Sequence, residues 1–285
     1  DELILYSLLK DLRRLNKKVE ISVLSGDPEK TRKSYGVKTI SRWNLFGVAI
    51  AIFHSDLLVF GGGGLLQDIT SSWSIYYYLA LILVAKLFLK KVLLISQGIG
   101  PIRKRISRKV SGIVLALVDL ITVRDELSKF ELEKLNRNVS VYMVPDPSFN
   151  LDALAFAPGP GKRSTFKKQP AIGICLRGLG EDGKFRRAIR DICAELVREI
   201  GSEIILIPFH KLEDLEISKE IVRDRANDYQ LFLWEEIEEL LDVYNEIDLV
   251  LGMRLHSIIL ASIFRKPFMA LSLPKNHPLY DPKLE

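Results

Sequence analysis

The sequence predicts an α/β protein made of two Rossmann-like parallel-sheet domains that face a cleft. Short apolar runs typical of strands alternate with longer runs of helical periodicity along most of the 285 residues. A stretch rich in glycine and proline, residues 157–170, interrupts this alternation near the middle of the chain. Glycine or polar residues follow most of the strand-like runs, which is typical of ligand sites beyond the carboxyl ends of parallel strands.

The first half of the chain repeats a βα pattern, which predicts a parallel sheet covered by helices on both faces. The apolar run 76–95 is long enough for a membrane span, but three lysines interrupt it, so a buried helix and a buried strand are expected instead. The predicted helices are 3–15, 45–54, 74–89, 106–118 and 126–135, and the predicted strands are 19–24, 56–60, 91–96, 120–123 and 141–144.

The second half resumes the same rhythm after residues 157–170, which we interpret as the linker between domains 1–157 and 158–285. The predicted strands are 171–175, 203–207, 230–233, 247–251 and 267–271, and the predicted helices are 184–200, 212–225, 235–244 and 255–264.

Composition indicates a folded protein with an anionic small-molecule partner. The chain is 48% hydrophobic, enough for a large core, and its formal net charge of +5 favours anionic partners. The basic clusters near 103–109 and 162–168 lack the interleaved aromatic residues of a single-strand groove, so nucleic acid is not expected. A phosphorylated small molecule, a nucleotide sugar or a lipid headgroup fits the charge better.

Neither a disulfide framework nor a metal site is expected. Cys175 and Cys193 are the two cysteines, and no set of histidine, cysteine and carboxylate residues has the spacing of a zinc site. These features predict a cytosolic protein. The chain opens on a helix that is already under way, so we expect the true N-terminus to lie further upstream.

The turn 251–257 contains the strongest candidates for catalytic residues. An apolar strand ends at Gly252, and Arg254 and His256 open the next apolar helix. A helix N-terminus, a guanidinium fork and an imidazole that exchanges protons near neutral pH together suit an anionic substrate. The alternative is an arginine solvated at a turn and a histidine hydrogen-bonded to local backbone.

Four consecutive glycines, 61–64, directly follow the strand 56–60. They match neither the dinucleotide fingerprint nor the P-loop, but they would let the backbone approach a ligand closely. We favour ligand approach over a purely structural glycine turn, because four glycines cost conformational entropy that a simple turn does not require.

Other strand ends supply further candidates. Gln97 and Gly98 follow one strand, and Arg124 follows the next, with Asp125 placed to cap the helix after it. Arg124 could equally form an ion pair with a neighbouring acid. Asp146 also follows a predicted strand and is either a turn acceptor or a base. In the second half of the chain, Arg177 and His210 each follow a predicted strand.

Together these residues resemble the polysaccharide pyruvyl transferase family. The matching motifs lie in family order along most of the chain, at 61–68, 97–101, 123–128, 145–147, 252–257 and 280–283. The resemblance implies a GT-B-like fold and an enzyme that uses phosphoenolpyruvate as donor and a sugar diol of a cell-wall or surface polysaccharide precursor as acceptor. It implies a pyruvate ketal as product, no cofactor, and a chain that is incomplete at both ends.

The resemblance also suggests roles for the candidates. Arg254, Lys283 and the helix from Leu255 would bind the donor, His256 would be the general acid or base, and Arg124 would reach the donor from the N-terminal domain, which also holds the acceptor. The expected substrate-binding residues are Lys283, His210, Arg177, Gly61, Gly62, Gly63, Gln67, Asp68, Gln97 and Gly98.

Two other functions stay open. A GT-B nucleotide-sugar glycosyltransferase or epimerase could share the fold, and a non-catalytic sugar-phosphate binder could share the charge. For the transferase, we expect a nucleotide- or lipid-linked saccharide acceptor and a cytoplasmic enzyme without a transmembrane segment. A lipid-linked acceptor would bring that enzyme to the inner membrane leaflet, where the basic cluster 103–109 could assist, although a solvated helix face is the commoner reason for such a cluster.

Overall fold

The computed structural model describes residues 2–68, 72–136, 140–152, 169–178, 183–210, 212–223 and 229–272. The chain divides into two compact units, Asp1–Asn150 and Leu151–Glu285. Residues 157–168 of the expected linker lie outside the described residues.

Unit 1 alternates helices and strands along its whole length. Its helices are α1 (Glu2–Leu15), α2 (Pro28–Tyr35), α3 (Leu45–His54), α4 (Ser72–Leu87), α5 (Arg105–Leu115) and α6 (Glu126–Leu135). Its strands are β1 (Ser22–Ser25), β2 (Lys38–Ser41), β3 (Leu57–Phe60), β4 (Gly63–Leu66), β5 (Lys91–Ile99), β6 (Leu120–Val123) and β7 (Val141–Met143). A 3₁₀ turn, Pro147–Asn150, follows β7.

The main sheet of unit 1 is parallel and has the order β3-β5-β6-β7. The long strand β5 has two neighbours on one side, because its first half pairs with β3 and its second half pairs with β4. Strands β1 and β2 form a separate parallel pair. Buried apolar side chains of α3, α4, α5 and the main sheet form one core, so the carboxyl ends of β5, β6 and β7 lie at one edge of a rigid layer.

Several predicted elements are confirmed. The predicted helices 45–54 and 126–135 and the predicted strand 120–123 have the observed bounds. The apolar run 76–95 forms a helix and a strand, α4 and β5, that contribute buried side chains to the core. Among the described residues, no helix combines the length and the apolar character needed to cross a bilayer.

The polar helix α2 and the strand β2 were not expected. Helix α2 buries only Thr31, so it lacks the apolar periodicity that marks a helix in sequence. Its start is nonetheless well specified, because the Asp27 carboxylate accepts a hydrogen bond from the N–H of Lys30 at 3.1 Å and Pro28 occupies the first turn.

The glycine tetrad is also different from the expected loop. Its second half begins β4, and Gly62 and Gly63 are buried with φ of 84° and 83°. A Cβ on Gly61 would collide with the side chain of Leu8, and a Cβ on Gly62 would lie 3.4 Å from Ile4. Close packing of α1 therefore gives these glycines a structural role.

Unit 2 is a second parallel layer. Its strands are β8 (Ala171–Cys175), β9 (Glu203–Leu206), β10 (Tyr229–Leu231), β11 (Leu249–Gly252) and β12 (Phe268–Ala270), and its helices are α7 (Gly183–Ile200), α8 (Leu215–Arg223), α9 (Ile237–Glu246) and α10 (Leu255–Ile263). The sheet order is β10-β9-β8-β11-β12. This order makes β9, β8 and β11 neighbours, so the residues after them meet at one edge.

Both cysteines are free and lie inside unit 2. Burial raises the pKa of the Cys175 thiol and of the Cys193 thiol to about 12 each. These thiols are therefore protonated and unreactive at neutral pH.

Candidate active site

The edge of the unit 2 sheet brings together three of the expected site residues. Arg177, His210 and Arg254 follow the neighbouring strands β8, β9 and β11. They surround Asp214, which lies in the loop before α8 and is fully buried. The sequence predictions included the three basic residues but not the carboxylate between them.

The Asp214 carboxylate binds groups from three loops at once. Its Oδ1 accepts hydrogen bonds from the N–H of Gly178 at 3.3 Å and from Nη2 of Arg254 at 2.6 Å. Its Oδ2 accepts from the N–H of His210 at 2.8 Å and from Nε of Arg254 at 3.1 Å. The guanidinium of Arg254 is thus held in a two-bond fork, which is the geometry that fixes an arginine most firmly.

A second carboxylate contacts the outer side of the same arginine. Nη2 of Arg254 also donates to Oε2 of Glu213 at 2.7 Å, and the Glu213 side chain is about half exposed. The N–H of Glu213 donates to Nδ1 of His210 at 3.2 Å, which makes Nδ1 an acceptor. The fork that we expected to bind a donor anion is therefore engaged by two carboxylates of the same unit, and its role toward a donor stays a prediction.

The pKa values of Arg254 and Arg177 are shifted in opposite directions. Burial lowers the pKa of Arg254, but the hydrogen bonds to Asp214 and Glu213 outweigh it and leave the pKa above its ordinary value. Burial and the positive charge of Arg254 lower the pKa of Arg177, and Glu213 and Asp214 offset this only in part. Among the described residues, Arg177 has no ion pair within 4.0 Å. An anion bound beside Arg177 would therefore relieve repulsion between two cations.

Buried side chains fix the turn between β11 and α10. Ser257 Oγ donates to the carbonyl oxygen of Arg254 at 2.6 Å, and a Cβ on Gly252 would collide with Ser257 Oγ. The buried Tyr244 hydroxyl donates to the carbonyl oxygen of Ser257 at 3.1 Å and lies 3.6 Å from Sγ of Cys175. The glycine and the serine in this turn thus fix where Arg254 and His256 begin the helix.

His256 is the second residue of α10 and is partly buried. At this position the imidazole lies in the first turn of the helix, where unsatisfied N–H groups give partial positive charge. The expected partner Lys283, with the rest of 280–283, lies outside the described residues.

A second set of candidates lies at the carboxyl ends of β5 and β6 in unit 1. A Cβ on Gly98 would lie 2.6 Å from Nη2 and 2.8 Å from Cζ of Arg124, so the guanidinium rests directly against this glycine. Nε of Arg124 lies 3.6 Å from Oδ2 of Asp125, and Nη1 lies 3.8 Å from Oδ2 of the buried Asp146. The ion pair considered as an alternative for Arg124 is therefore present.

The two acids near Arg124 also have backbone partners. Asp125 Oδ1 accepts from the N–H of Ser128 at 2.7 Å, which confirms the expected cap of α6. Asp146 Oδ1 accepts from the N–H of Ser148 at 3.0 Å, the bond expected of a turn acceptor. These bonds fix the positions of both carboxylates and hence of the guanidinium between them.

The remaining unit 1 candidates have structural contacts. Gln97 is fully buried, and its Nε2 donates to the carbonyl oxygens of Phe60 at 3.1 Å and Ile95 at 3.3 Å. The two oxygens of the buried Asp68 accept from the N–H groups of Arg103 at 2.8 Å and Lys104 at 2.9 Å. These bonds hold the strand ends and the loop before α5, whereas substrate contact by the same residues stays a prediction.

Two more observations define this edge. The side chain of Gln67 packs where a Cβ on Gly100 would lie, and Gly64 is the exposed member of the glycine tetrad.

In the part of the chain that the structure describes, no group of three histidine, cysteine or acidic residues could hold a metal ion.

Comparison with known proteins gives a family and a fold. A family model described as polysaccharide pyruvyl transferase matches residues 1–274. A comparison with curated protein sequences finds no match.

Several solved structures are similar in fold. The UDP-GlcNAc 2-epimerase from Methanocaldococcus jannaschii is 14% identical, with a TM-score of 0.65 over 96% of this chain and 81% of that chain. A putative UDP-N-acetylglucosamine 2-epimerase from Listeria monocytogenes is 11% identical, with a TM-score of 0.64 over 97% and 77% of the two chains. Anabaena Alr3699/HepE in complex with UDP is 11% identical, with a TM-score of 0.63 over 95% and 77%. These likenesses confirm the expected α/β class with parallel sheets and a GT-B-like fold.

Proposed function

Because the chain belongs to the polysaccharide pyruvyl transferase family, we propose that it transfers the pyruvyl group of phosphoenolpyruvate to a sugar diol. The acceptor is a nucleotide- or lipid-linked precursor of a cell-wall or surface polysaccharide, the product is a pyruvate ketal, and phosphate is released. We place the reaction in the cytoplasm, in keeping with two free cysteines.

The reaction requires a proton transfer to carbon, the loss of a proton from each of two hydroxyls, and two additions at a single carbon. The methylene carbon of the donor takes a proton from an acid of the protein and becomes a methyl group, while one sugar hydroxyl adds to the central carbon and gives its own proton to a base of the protein. The second hydroxyl then adds to that carbon, the bond to the phosphate oxygen breaks, and the second hydroxyl proton leaves with phosphate. The protein must supply a proton and stabilise the negative charge of the leaving group.

The unit 2 cluster is the observation that carries this proposal. Arg177 and Arg254 lie at neighbouring strand ends, and Arg177 has its pKa lowered by burial and by the second cation. A donor with a carboxylate and a phosphate fits that environment. We therefore assign the donor anion to Arg177 and the start of α10, with Arg254 fixed beside them by its own carboxylates.

His256 is the proposed general acid or base. It lies in the first turn of α10, next to the proposed donor position, and a histidine can give or accept a proton near neutral pH. Lys283 is proposed as a further donor contact on the family resemblance alone.

Unit 1 is the proposed acceptor side. We assign the acceptor to the edge that carries Gly64, Gln67 and Gln97, and we propose that Arg124, at the same edge, contacts a bound substrate. Gly64 is the exposed glycine of the tetrad, and Arg124 is held by Asp125, which follows the same strand, and by Asp146, which follows the neighbouring strand β7.

Phosphate release from phosphoenolpyruvate over a panel of sugar diols tests the reaction, followed by detection of an acid-labile ketal. His256→Ala should lower turnover roughly a hundredfold to ten-thousandfold, because general acid–base catalysis contributes about that much. His54→Ala, a histidine at the exposed end of α3, is the matched control and should keep full turnover. Unchanged turnover in His256→Ala would remove that residue from the mechanism.

A nucleotide-sugar reaction is the second candidate, because the similar structures include UDP-GlcNAc 2-epimerases and a complex with UDP. Turnover of a UDP-sugar without phosphoenolpyruvate would favour it. Binding of phosphoenolpyruvate without phosphate release, over the whole panel, would favour a sugar-phosphate binder.

A further inference from the structure

Helix α3 is apolar on two opposite sides. Val48 and Ile52, four residues apart, are buried in the core of unit 1. Phe46, Ile50 and Phe53 lie at intervals of four and three residues on the other side and are exposed, with 78% of Phe46 accessible. A surface helix usually presents charged or polar residues on its outer side. The outer side of α3 instead exposes two aromatic rings.

The apolar surface continues onto the neighbouring helix. The Tyr77 hydroxyl of α4 donates to the carbonyl oxygen of Arg42, just before α3, at 3.0 Å, and the Phe53 ring lies 5.2 Å from the ring of Phe88, just after α4. Helices α3 and α4 also contact each other directly, so they lie side by side. We call the exposed apolar side chains on and around these helices the α3–α4 face, which comprises Trp43, Leu45, Phe46, Ile50, Phe53, Leu83, Leu87 and Leu89.

The chain around this face is strongly basic. Residues 30–119 contain thirteen lysines and arginines and three acids, Asp56, Asp68 and Asp119, in a chain whose total net charge is +5, and Asp119 pairs with Lys86 and Lys91. The positive charge is thus concentrated in this part of the sequence, and the remainder is net negative. Two of the cations lie against the face itself, with Arg42 4.7 Å from the Trp43 ring and Lys90 5.8 Å from the Phe53 ring.

We propose that the α3–α4 face binds the surface of an anionic lipid bilayer. Exposed tryptophan, phenylalanine and leucine side chains, flanked by the cations Arg42 and Lys90, suit the boundary between headgroups and acyl chains. Aromatic rings enter that boundary while lysine and arginine remain at the anionic headgroups. The face concerns lipid contact only and does not depend on the proposed reaction.

Flotation of the full chain with vesicles tests the proposal. The vesicles contain 70% phosphatidylcholine and 30% phosphatidylglycerol, and vesicles of phosphatidylcholine alone give the comparison. The chain should bind the anionic vesicles at least tenfold more tightly, and the double variant Trp43→Ala/Phe46→Ala should lose at least tenfold in affinity. Both side chains are mostly exposed, 70% and 78%, so the variant should fold normally, which circular dichroism checks.

Phe130→Ala is the matched control. Phe130 is an exposed ring on α6 with Lys134 3.8 Å from its centre, but Glu126, Glu131 and Glu133 surround it in sequence. This control should bind vesicles as the unchanged chain does. Arg42→Glu/Lys90→Glu should weaken binding to anionic vesicles and leave the weak binding to neutral vesicles unchanged.

Three results would overturn the proposal. The first is no preference of the unchanged chain for anionic vesicles, and the second is an equal loss in Phe130→Ala and in Trp43→Ala/Phe46→Ala. The third is a dimer in light scattering that Trp43→Ala/Phe46→Ala separates into monomers, because a second copy would then cover the face. Phosphate release with a soluble acceptor should be the same in all these variants, so failure of the lipid proposal is distinguishable from failure of the proposed reaction.

Discussion

Asp214 is the residue on which the unit 2 cluster depends. It is fully buried and accepts hydrogen bonds from two backbone N–H groups and from both sides of the Arg254 fork. Removing one partner of a buried ion pair leaves the other charge uncompensated, which costs about 3–5 kcal/mol. We therefore predict that Asp214→Asn lowers the free energy of unfolding by about 3 kcal/mol, measured by urea denaturation.

Glu213→Gln is the matched control for Asp214→Asn. Glu213 contacts the same guanidinium, but its side chain is half exposed, so solvent screens the pair and its loss should cost less than about 1 kcal/mol. Asp214→Asn should also raise the KM for phosphoenolpyruvate, since Arg254 and the loops after β8 and β9 lose their common anchor. Equal small losses of stability in both variants would contradict the assigned role of Asp214.

At the residue scale, the sequence indicated the basic groups better than their partners. Arg177, His210 and Arg254 were predictable because each follows an apolar strand, and three neighbouring strands bring them together. Asp214 and Tyr244 gave no such signal, because each contacts a group that is distant in sequence. Tyr244 contacts Cys175, and Asp214 contacts Arg254. The engagement of Arg254 by two carboxylates was unpredictable for the same reason.

At the scale of elements, Asp119 joins three parts of unit 1. It lies just before β6 and accepts hydrogen bonds from Lys86 at the end of α4, from Lys91 at 2.9 Å and from the N–H of Val92 at 2.8 Å. Burial acts to raise the pKa of Asp119, but the bonds from Lys86, Lys91 and Val92 outweigh it and hold the pKa well below its usual range. The ionised carboxylate thus stabilises the fold.

The pH dependence of this stabilisation has a definite sign. A carboxyl whose pKa is lower in the folded state contributes fully above its unfolded pKa of about 4 and loses that contribution as pH falls toward the folded value. We predict that Asp119→Asn lowers the free energy of unfolding by about 1–2 kcal/mol at pH 7. The difference from the unchanged chain should shrink steadily below pH 4, as measured by denaturant titrations at several pH values.

An exposed ion pair supplies the control for Asp119. Lys38 and Glu20 lie 2.6 Å apart, but both side chains are largely exposed, so Glu20→Gln should leave stability unchanged at pH 7. A difference between Asp119→Asn and the unchanged chain that stays constant from pH 7 to pH 3 would contradict the role assigned to the ionised carboxylate.

Apolar periodicity predicted most helices and strands, and the elements that were not predicted lack it. Helices α3 and α6 and strand β6 were predictable to the residue because their apolar patterns are clear and their neighbours are polar. Helix α2 is polar throughout, and β4 begins within the glycine tetrad, where no side-chain pattern exists. The pairing of β4 with the second half of β5 depends on the whole sheet, so local sequence could not reveal it.

At the scale of the molecule, each unit has a core of its own. Within the part of the chain that the structure describes, one buried cluster runs from Val48 to Leu132 in unit 1 and another runs from Ile172 to Leu251 in unit 2. Each main sheet is likewise completed within one unit. The repeated βα pattern predicted two such layers, and the boundary expected at residue 157 lies outside the described residues.

A separate core predicts independent folding of unit 1. About 150 residues bury roughly 70% of the surface of the unfolded chain, which is enough for a stable domain. A fragment of residues 1–150 should therefore unfold in one cooperative thermal transition and give dispersed amide resonances. A fragment of residues 1–118 is the comparison, because it lacks β6, the partner of the long strand β5, and should be largely unfolded. Loss of cooperative unfolding in the longer fragment would contradict the prediction, since the core and the sheet would then depend on residues beyond 150.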